Sequence, residues 1–184
     1  MSKRSLALRV AAAALGMGLA APVATASLIR AMDLAALTAA ADRIVVADVL
    51  AVQAAWDSAH RTIHTTVEIS VRESWKGDAP VDRHLTVRQP GGTVGDIEMT
   101  VRGMPVFATG ERSLLFLQRS QVVGMAQGKR NLRWQAAERR WLVEPADHAE
   151  VVAVGRDGRL RAAGTDRAED LDGLRGKVRT WVGK

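Results

Sequence analysis

Apolar and polar positions alternate from residue 63 to residue 72, broken only by Thr65 on the apolar side. Ile63, Thr65, Val67, Ile69 and Val71 fall on one side, and His64, Thr66, Glu68, Ser70 and Arg72 on the other. A period of two over that length predicts a strand with one face in a core and one in water. The run before it, residues 44–56, is nearly continuously apolar, with Asp48 and Gln53 as the exceptions. An extended strand of that length spans roughly 40 Å, at ~3.3 Å per residue, and is expected to bend at a bulge so that its halves serve different parts of a barrel. Asp57-Ser58-Ala59-His60 forms the tip between these two strands, and Lys76-Gly77-Asp78-Ala79-Pro80 turns the chain into a third strand over residues 84–89. Residues 43–92 are therefore the stretch around which the rest is organised.

The pattern predicts further elements on either side. Leu28, Met32, Leu34 and Leu37 lie among alanines at helical spacing, which predicts an N-terminal helix with Asp33 as its cap after a short lead-in. Proline then glycine in Gln89-Pro90-Gly91 is the signature of a type II turn. Gly92 to Gly95 continues that loop, and residues 96–102 alternate again as a fourth strand. Residues 113–118 (SLLFLQ) are apolar enough for a central strand. Residues 122–127 and 131–135 flank Gly128-Lys129-Arg130 as a hairpin, and residues 141–143, 150–154 and 159–162 complete the β-content, the last two around Arg156-Asp157-Gly158. Asp166 with Glu169 reads as a capping-box start for a C-terminal amphipathic helix carrying Leu171, Leu174, Val178 and Trp181.

The first 26 residues read differently. Lys3, Arg4 and Arg9 precede or border an alanine-rich apolar run, and Ala24-Thr25-Ala26 is an A-x-A cleavage site, so residues 1–26 are expected to be a signal peptide. The apolar run falls short of the ~20 residues that span a bilayer, so no transmembrane anchor is expected after cleavage. The expected mature chain, residues 27–184, is a single domain exported to the periplasm or the medium. Losing those three cations would leave 23 basic against 20 acidic residues. A surplus that small does not point to nucleic acid. The chain has no cysteine, which excludes disulfides, thiol chemistry and thiolate-bound zinc.

Four short motifs carry a resemblance. The Lys76-Gly77 turn, Arg88-Gln89-Pro90-Gly91-Gly92, Gly110-Glu111 before an apolar strand, and the segment from Gly124 to Lys129 (GMAQGK) resemble a group of uncharacterised exported bacterial proteins in which such features recur. The strand pattern with its K-G turn is also similar to the netrin-like barrel of metalloproteinase inhibitors. That likeness implies an OB-like small barrel with extra hairpins, an N-terminal helix and a C-terminal amphipathic helix. Those inhibitors hold the target's zinc through an N-terminal cysteine, which this chain lacks.

Candidate chemistry is sparse. His60 and His64 would stand ~13 Å apart along an extended chain, too far to share a metal ion. His148-Ala149-Glu150 has the H-x-E of zinc deaminases without their paired cysteines. Gly91-Gly92-Thr93-Val94-Gly95 lacks the Gly-Lys-Ser/Thr ending of a phosphate loop and leads into a strand. No serine sits in a G-x-S-x-G elbow. No cofactor, metal or catalytic residue is therefore assigned. One tract remains. Lys129, Arg130, Arg133, Arg139 and Arg140 interleave with Trp134 and Trp141, a composition suited to an anionic polymer and equally to the solvated face of a hairpin. The candidate interaction patch is Lys129, Arg130, Arg133 and Trp134, with the Arg88-Gln89-Pro90-Gly91-Gly92 loop as a second candidate. The function expected is a non-catalytic binding module that meets another protein or an anionic envelope component. The alternatives are a protease-inhibitor-like module or a hydrolase with a scattered site.

Overall fold

The two longest apolar runs of the chain pair with each other along their whole length. The computed structural model describes residues 29–144, 151–154, 160–162 and 167–182. Its elements are β1 (Ile29–Arg30), α1 (Leu34–Ala40), β2 (Arg43–Trp56), β3 (Ile63–Lys76), β4 (His84–Pro90), β5 (Gly92–Val94), β6 (Ile97–Met99), β7 (Arg112–Gln118) and β8 (Gln121–Val122). After these come a 3-10 turn (Met125–Gly128), β9 (Lys129–Gln135), β10 (Arg140–Val143), β11 (Val151–Val154), β12 (Leu160–Ala162), β13 (Glu169–Asp170) and α2 (Leu171–Val182). The protein is mainly β with a helix near each end, as the pattern predicts. The main sheet has the order β13-β10-β9-β7-β2-β3-β4, with β8 folded back on β7. A small β1-β11-β12 sheet and the β5–β6 hairpin accompany it. Among the described residues no helix is long and apolar enough to cross a membrane.

Strand β7 shows why the sheet is central. Leu114 and Phe116 point into one core with Ile44, Val46, Leu37 of α1 and Leu171, Leu174 and Val178 of α2. Leu115 and Leu117 point into a second core with Val45, Ala47, Val67, Ile69, Val71 and Phe107. A strand apolar on both faces must be covered on both, and here helices cover one side. The other core lies inside the curl of the sheet. Register slips in β2 between Ile44 and Val45, Val46 and Ala47, and Val49 and Ala51 are the expected bulges, and they bend the strand. The curl brings edge strand β4 back to the β7–β8 turn, where Arg88 N–H donates to Ser120 O at 2.8 Å. Among the described residues no ladder completes that closure.

Several expectations are corrected. The N-terminal helix is as expected, starting at Leu34 with Asp33 capping it by accepting from Ala36 N–H at 2.7 Å; the lead-in is the part that differs, since Ile29 and Arg30 pair with β11. The C-terminal helix begins at Leu171, where Asp170 accepts from the N–H groups of Asp172 and Gly173. Glu169 pairs with Val143 in a ladder instead of capping, and Asp166 lies outside the described residues. The fourth strand shrinks to residues 97–99, in a hairpin whose Ile97 is exposed. Its alternation has no core to face. The hairpin expected around Gly128-Lys129-Arg130 is absent. Gly124 and Met125 adopt positive φ and start a 3-10 turn, which delivers the chain into β9 at Lys129 itself. Residues 1–28, His148-Ala149-Glu150 and Arg156-Asp157-Gly158 lie outside the described residues.

Candidate functional site

The gap between β4 and the 3-10 turn is bridged by residues 103–107. Ala126 N–H donates to Gly103 O at 2.8 Å from one side. Gln89 Nε2 donates to Pro105 O at 2.9 Å from the other. Gly103 has φ 78°, and a Cβ there would run into Ile29 and Met125, so the tight passage requires glycine. Pro105 is buried, and Phe107 enters the second core. Between these two anchors Val106 is 83 % exposed. Chain geometry alone explains this arrangement, because neighbours in an extended segment point opposite ways.

Two clefts flank the segment. One, of about 210 Å³, is lined by Met104, Val106 and Ala108 and floored by Glu111, Lys129 and Asn131. Lys129 is only 7 % exposed, and a charge so buried requires partners. Its ammonium lies 2.9 Å from Glu111 Oε1, donates to Asn131 Oδ1 at 2.5 Å and stands 5.1 Å from the Phe107 ring. Ser113, fully buried, donates to the same Asn131 oxygen at 3.3 Å. The ammonium thus ties β7, β9 and the bridging segment together. The second cleft, of about 310 Å³, lies on the other side of Met104 and Pro105 and is lined by Arg88, Gln89, Gln121 and Met125. Gln89 spends its amide N–H on Pro105, and its Oε1 is buried without a hydrogen bond.

The residues singled out in the sequence are divided by this geometry. Alternation along β9 puts Lys129, Asn131 and Arg133 on one face and Arg130, Leu132 and Trp134 on the other. Lys129, Arg130, Arg133 and Trp134 therefore form no single patch. Arg133 pairs with Glu144 at 2.8 Å. Trp134 packs on Trp141, its cross-strand partner, with ring centroids 5.3 Å apart. Arg130 borders a different cleft beside α1 and α2. Arg140 pairs with Glu138. Arg88-Gln89-Pro90-Gly91-Gly92 is not a loop either. Strand β4 runs through Pro90, and Gly91 N–H still bonds Ile63 O at 2.8 Å. The glycines serve a close approach: Thr65 Oγ1 donates to Gly91 O, and a Cβ on Gly92 would come within 2.6 Å of that hydroxyl. His60 sits at the hairpin tip with φ 52° beside Trp56, while His64 lies within β3.

A second charged cluster lies on the helix-bearing face, beyond the helices. Arg112 grips Asp48 with two bonds of 2.5 and 2.8 Å, and Arg72 adds a third at 2.7 Å. The hydrogen bond from Arg112 is the main reason that the Asp48 carboxyl titrates below its ordinary range, with partial burial opposing it. Arg112 is shifted upward by the same bond and lies 4.8 Å over the Trp141 ring. Asp57, at the exposed tip, is also held low, chiefly by Arg61 N–H. Among the described residues no three His, Asp or Glu side chains converge as a metal cage.

Gly110-Glu111 and the segment ending in Lys129 stand out in the sequence as motifs, whereas Met104-Pro105 carries no signal of its own beyond a proline. The structure joins all three in one place. Nothing in their spacing announces it, since the meeting depends on β7 and β9 pairing. The fold and site define an antiparallel β-protein with an anchored, cleft-flanked loop. No family model matches the chain, and no curated protein or solved structure is found to be similar to it.

Proposed function

We propose that this chain is an exported, non-catalytic binding module, and that residues 103–107 are its recognition element for a protein partner. One observation carries the reading: Val106 is 83 % exposed between two residues that are locked down. A lone exposed valine is ordinary. This one is held rigid by hydrogen bonds at Gly103 and Pro105 and has a cleft on each side. A pre-ordered apolar knob beside hollows binds without the cost of ordering a loop. At the floor of the first cleft Lys129, Glu111 and Asn131 are engaged with each other, an arrangement suited to holding shape. The strand order β9-β7-β2-β3-β4 is compatible with a partly open OB-type barrel, whose seam is where this segment lies. A protein is favoured over an anionic polymer because Lys129, Arg133 and Arg140 already have acidic partners.

The test is affinity capture from the periplasm and medium of the producing cell. The parent should retain a specific protein that Val106→Asp loses while keeping its melting temperature, and Trp134→Ala should retain it. Identical captures by the parent and Val106→Asp, or substrate turnover by the purified chain in a hydrolase screen, would overturn the proposal.

A further inference from the structure

Strand β2 is paired on both sides for only part of its length. Strand β7 accompanies it from Arg43 to Asp48. One more pair of bonds follows on that side, Val49 N–H to Glu111 O and Gly110 N–H to Val49 O. Past Val49, among the described residues, β3 is the one strand that pairs with it. The direction of the backbone groups follows from the ladders. Gly91 N–H bonds Ile63 O, so odd residues 63–69 of β3 face β4 and the even ones face β2. His64, Thr66 and Glu68 stand opposite Ala55, Gln53 and Ala51. The N–H and C=O groups of Val52, Ala54 and Trp56 therefore point outward, and no bond to them from another described residue is seen.

This edge lacks the usual protection. From Leu50 to Trp56 the text LAVQAAW contains no charge and no proline, and Leu50 is 39 % exposed. The other long edge, β4, is treated differently: Arg88 N–H is tied to Ser120, and His84 and Arg88 flank it. The β5–β6 hairpin covers the face of β2 that carries Ala54 and makes no ladder with it.

We propose that two copies of this chain join through the outer edge of β2, antiparallel about Ala54. The register makes the edge self-complementary. Ala54 meets its own copy, and Val52 meets Trp56 of the other chain on the same face, an aromatic and β-branched pair of the kind that stabilises sheets. Each outward residue exchanges two bonds with its opposite number, about six in all. The two main sheets become one across the two-fold axis. The interface is separate from the Val106 segment, so the two proposals stand or fall independently.

On the outer face the same register sets Gln53 opposite Ala55 of the partner. Both side chains are exposed, so substitutions there leave the core intact. The test is sedimentation equilibrium or light scattering on the mature chain at micromolar concentration. The parent should have twice the chain mass. Q53K/A55K, which faces lysine with lysine, should weaken the dimer by about tenfold or more. Q53E/A55K, which faces glutamate with lysine, should restore it. A monomeric parent, or a dimer indifferent to Q53K/A55K, would overturn the pairing. So would a Q53E/A55K variant as weak as Q53K/A55K.

Discussion

Asp48 is the residue whose environment departs furthest from what its neighbours in sequence suggest. It stands out as a lone acid in an apolar run, and the structure explains it: two arginines, Arg112 and Arg72, converge on its carboxylate. Its pKa is lower in the folded chain than the ~3.9 of an unfolded aspartate. Such a group stabilises the fold fully above the unfolded value, and that contribution disappears as pH falls through the folded one. Asp48→Asn should therefore lower the urea midpoint at pH 7, and the gap from the parent should shrink steadily below pH 4. A gap that stays constant down to pH 2 would mean that the carboxylate's charge is irrelevant. Ser70 shows the converse error of sequence reading. Alternation assigns it to water, yet it is 5 % exposed, because it stands opposite Asp48 and two residues before Arg72 on that crowded face.

At the level of elements, what the sequence made legible was whatever depends on local period. The alternation of β3 is real: Val67 and Ile69 are fully buried, and Glu68 is exposed. Ile69→Ala should cost roughly 2–5 kcal/mol and Glu68→Ala no more than about 0.5 kcal/mol, read from denaturant midpoints. Equal midpoints would refute the assignment of faces. The long β2, its bulges, the doubly buried β7 and the α2 stripe of Leu171, Leu174 and Val178 were all readable in the same way, whereas Trp181, expected to continue that stripe, is 37 % exposed. What failed was where backbone conformation overrides period. Positive φ at Gly124 and Met125 replaced an expected strand with a 3-10 turn. The apolar alternation of residues 97–101 found no second layer to pack on and supports only a three-residue strand. Proline and glycine at 90 and 91 made a bend between strands and no reversal, because Gly91 remained bonded to β3.

For the whole molecule, residues 1–26 carry only an expectation of export, and the site was not legible in the sequence at all. If export follows the reading of residues 1–26, the purified mature chain should begin at Ser27, and an intact mass retaining Met1 in the exported fraction would overturn that expectation. The Lys129–Glu111 pair could not be foreseen, since a buried lysine and a surface lysine look alike in a list of residues. The same non-local pairing bears on how the chain folds. Strands β2, β3 and β4 follow one another and can associate as soon as they exist, whereas β7 must return to β2 from some 70 residues away. Closing so long a loop makes that step slow relative to the local hairpins. During synthesis the side of β2 that β7 occupies stays open while the chain grows from Lys76 to Gln118, roughly 2–8 s at 5–20 residues per second. For that interval Ile44, Val45 and Val46 present an uncovered apolar strand, and a chaperone that recognises such segments would find there a target that the folded chain withdraws.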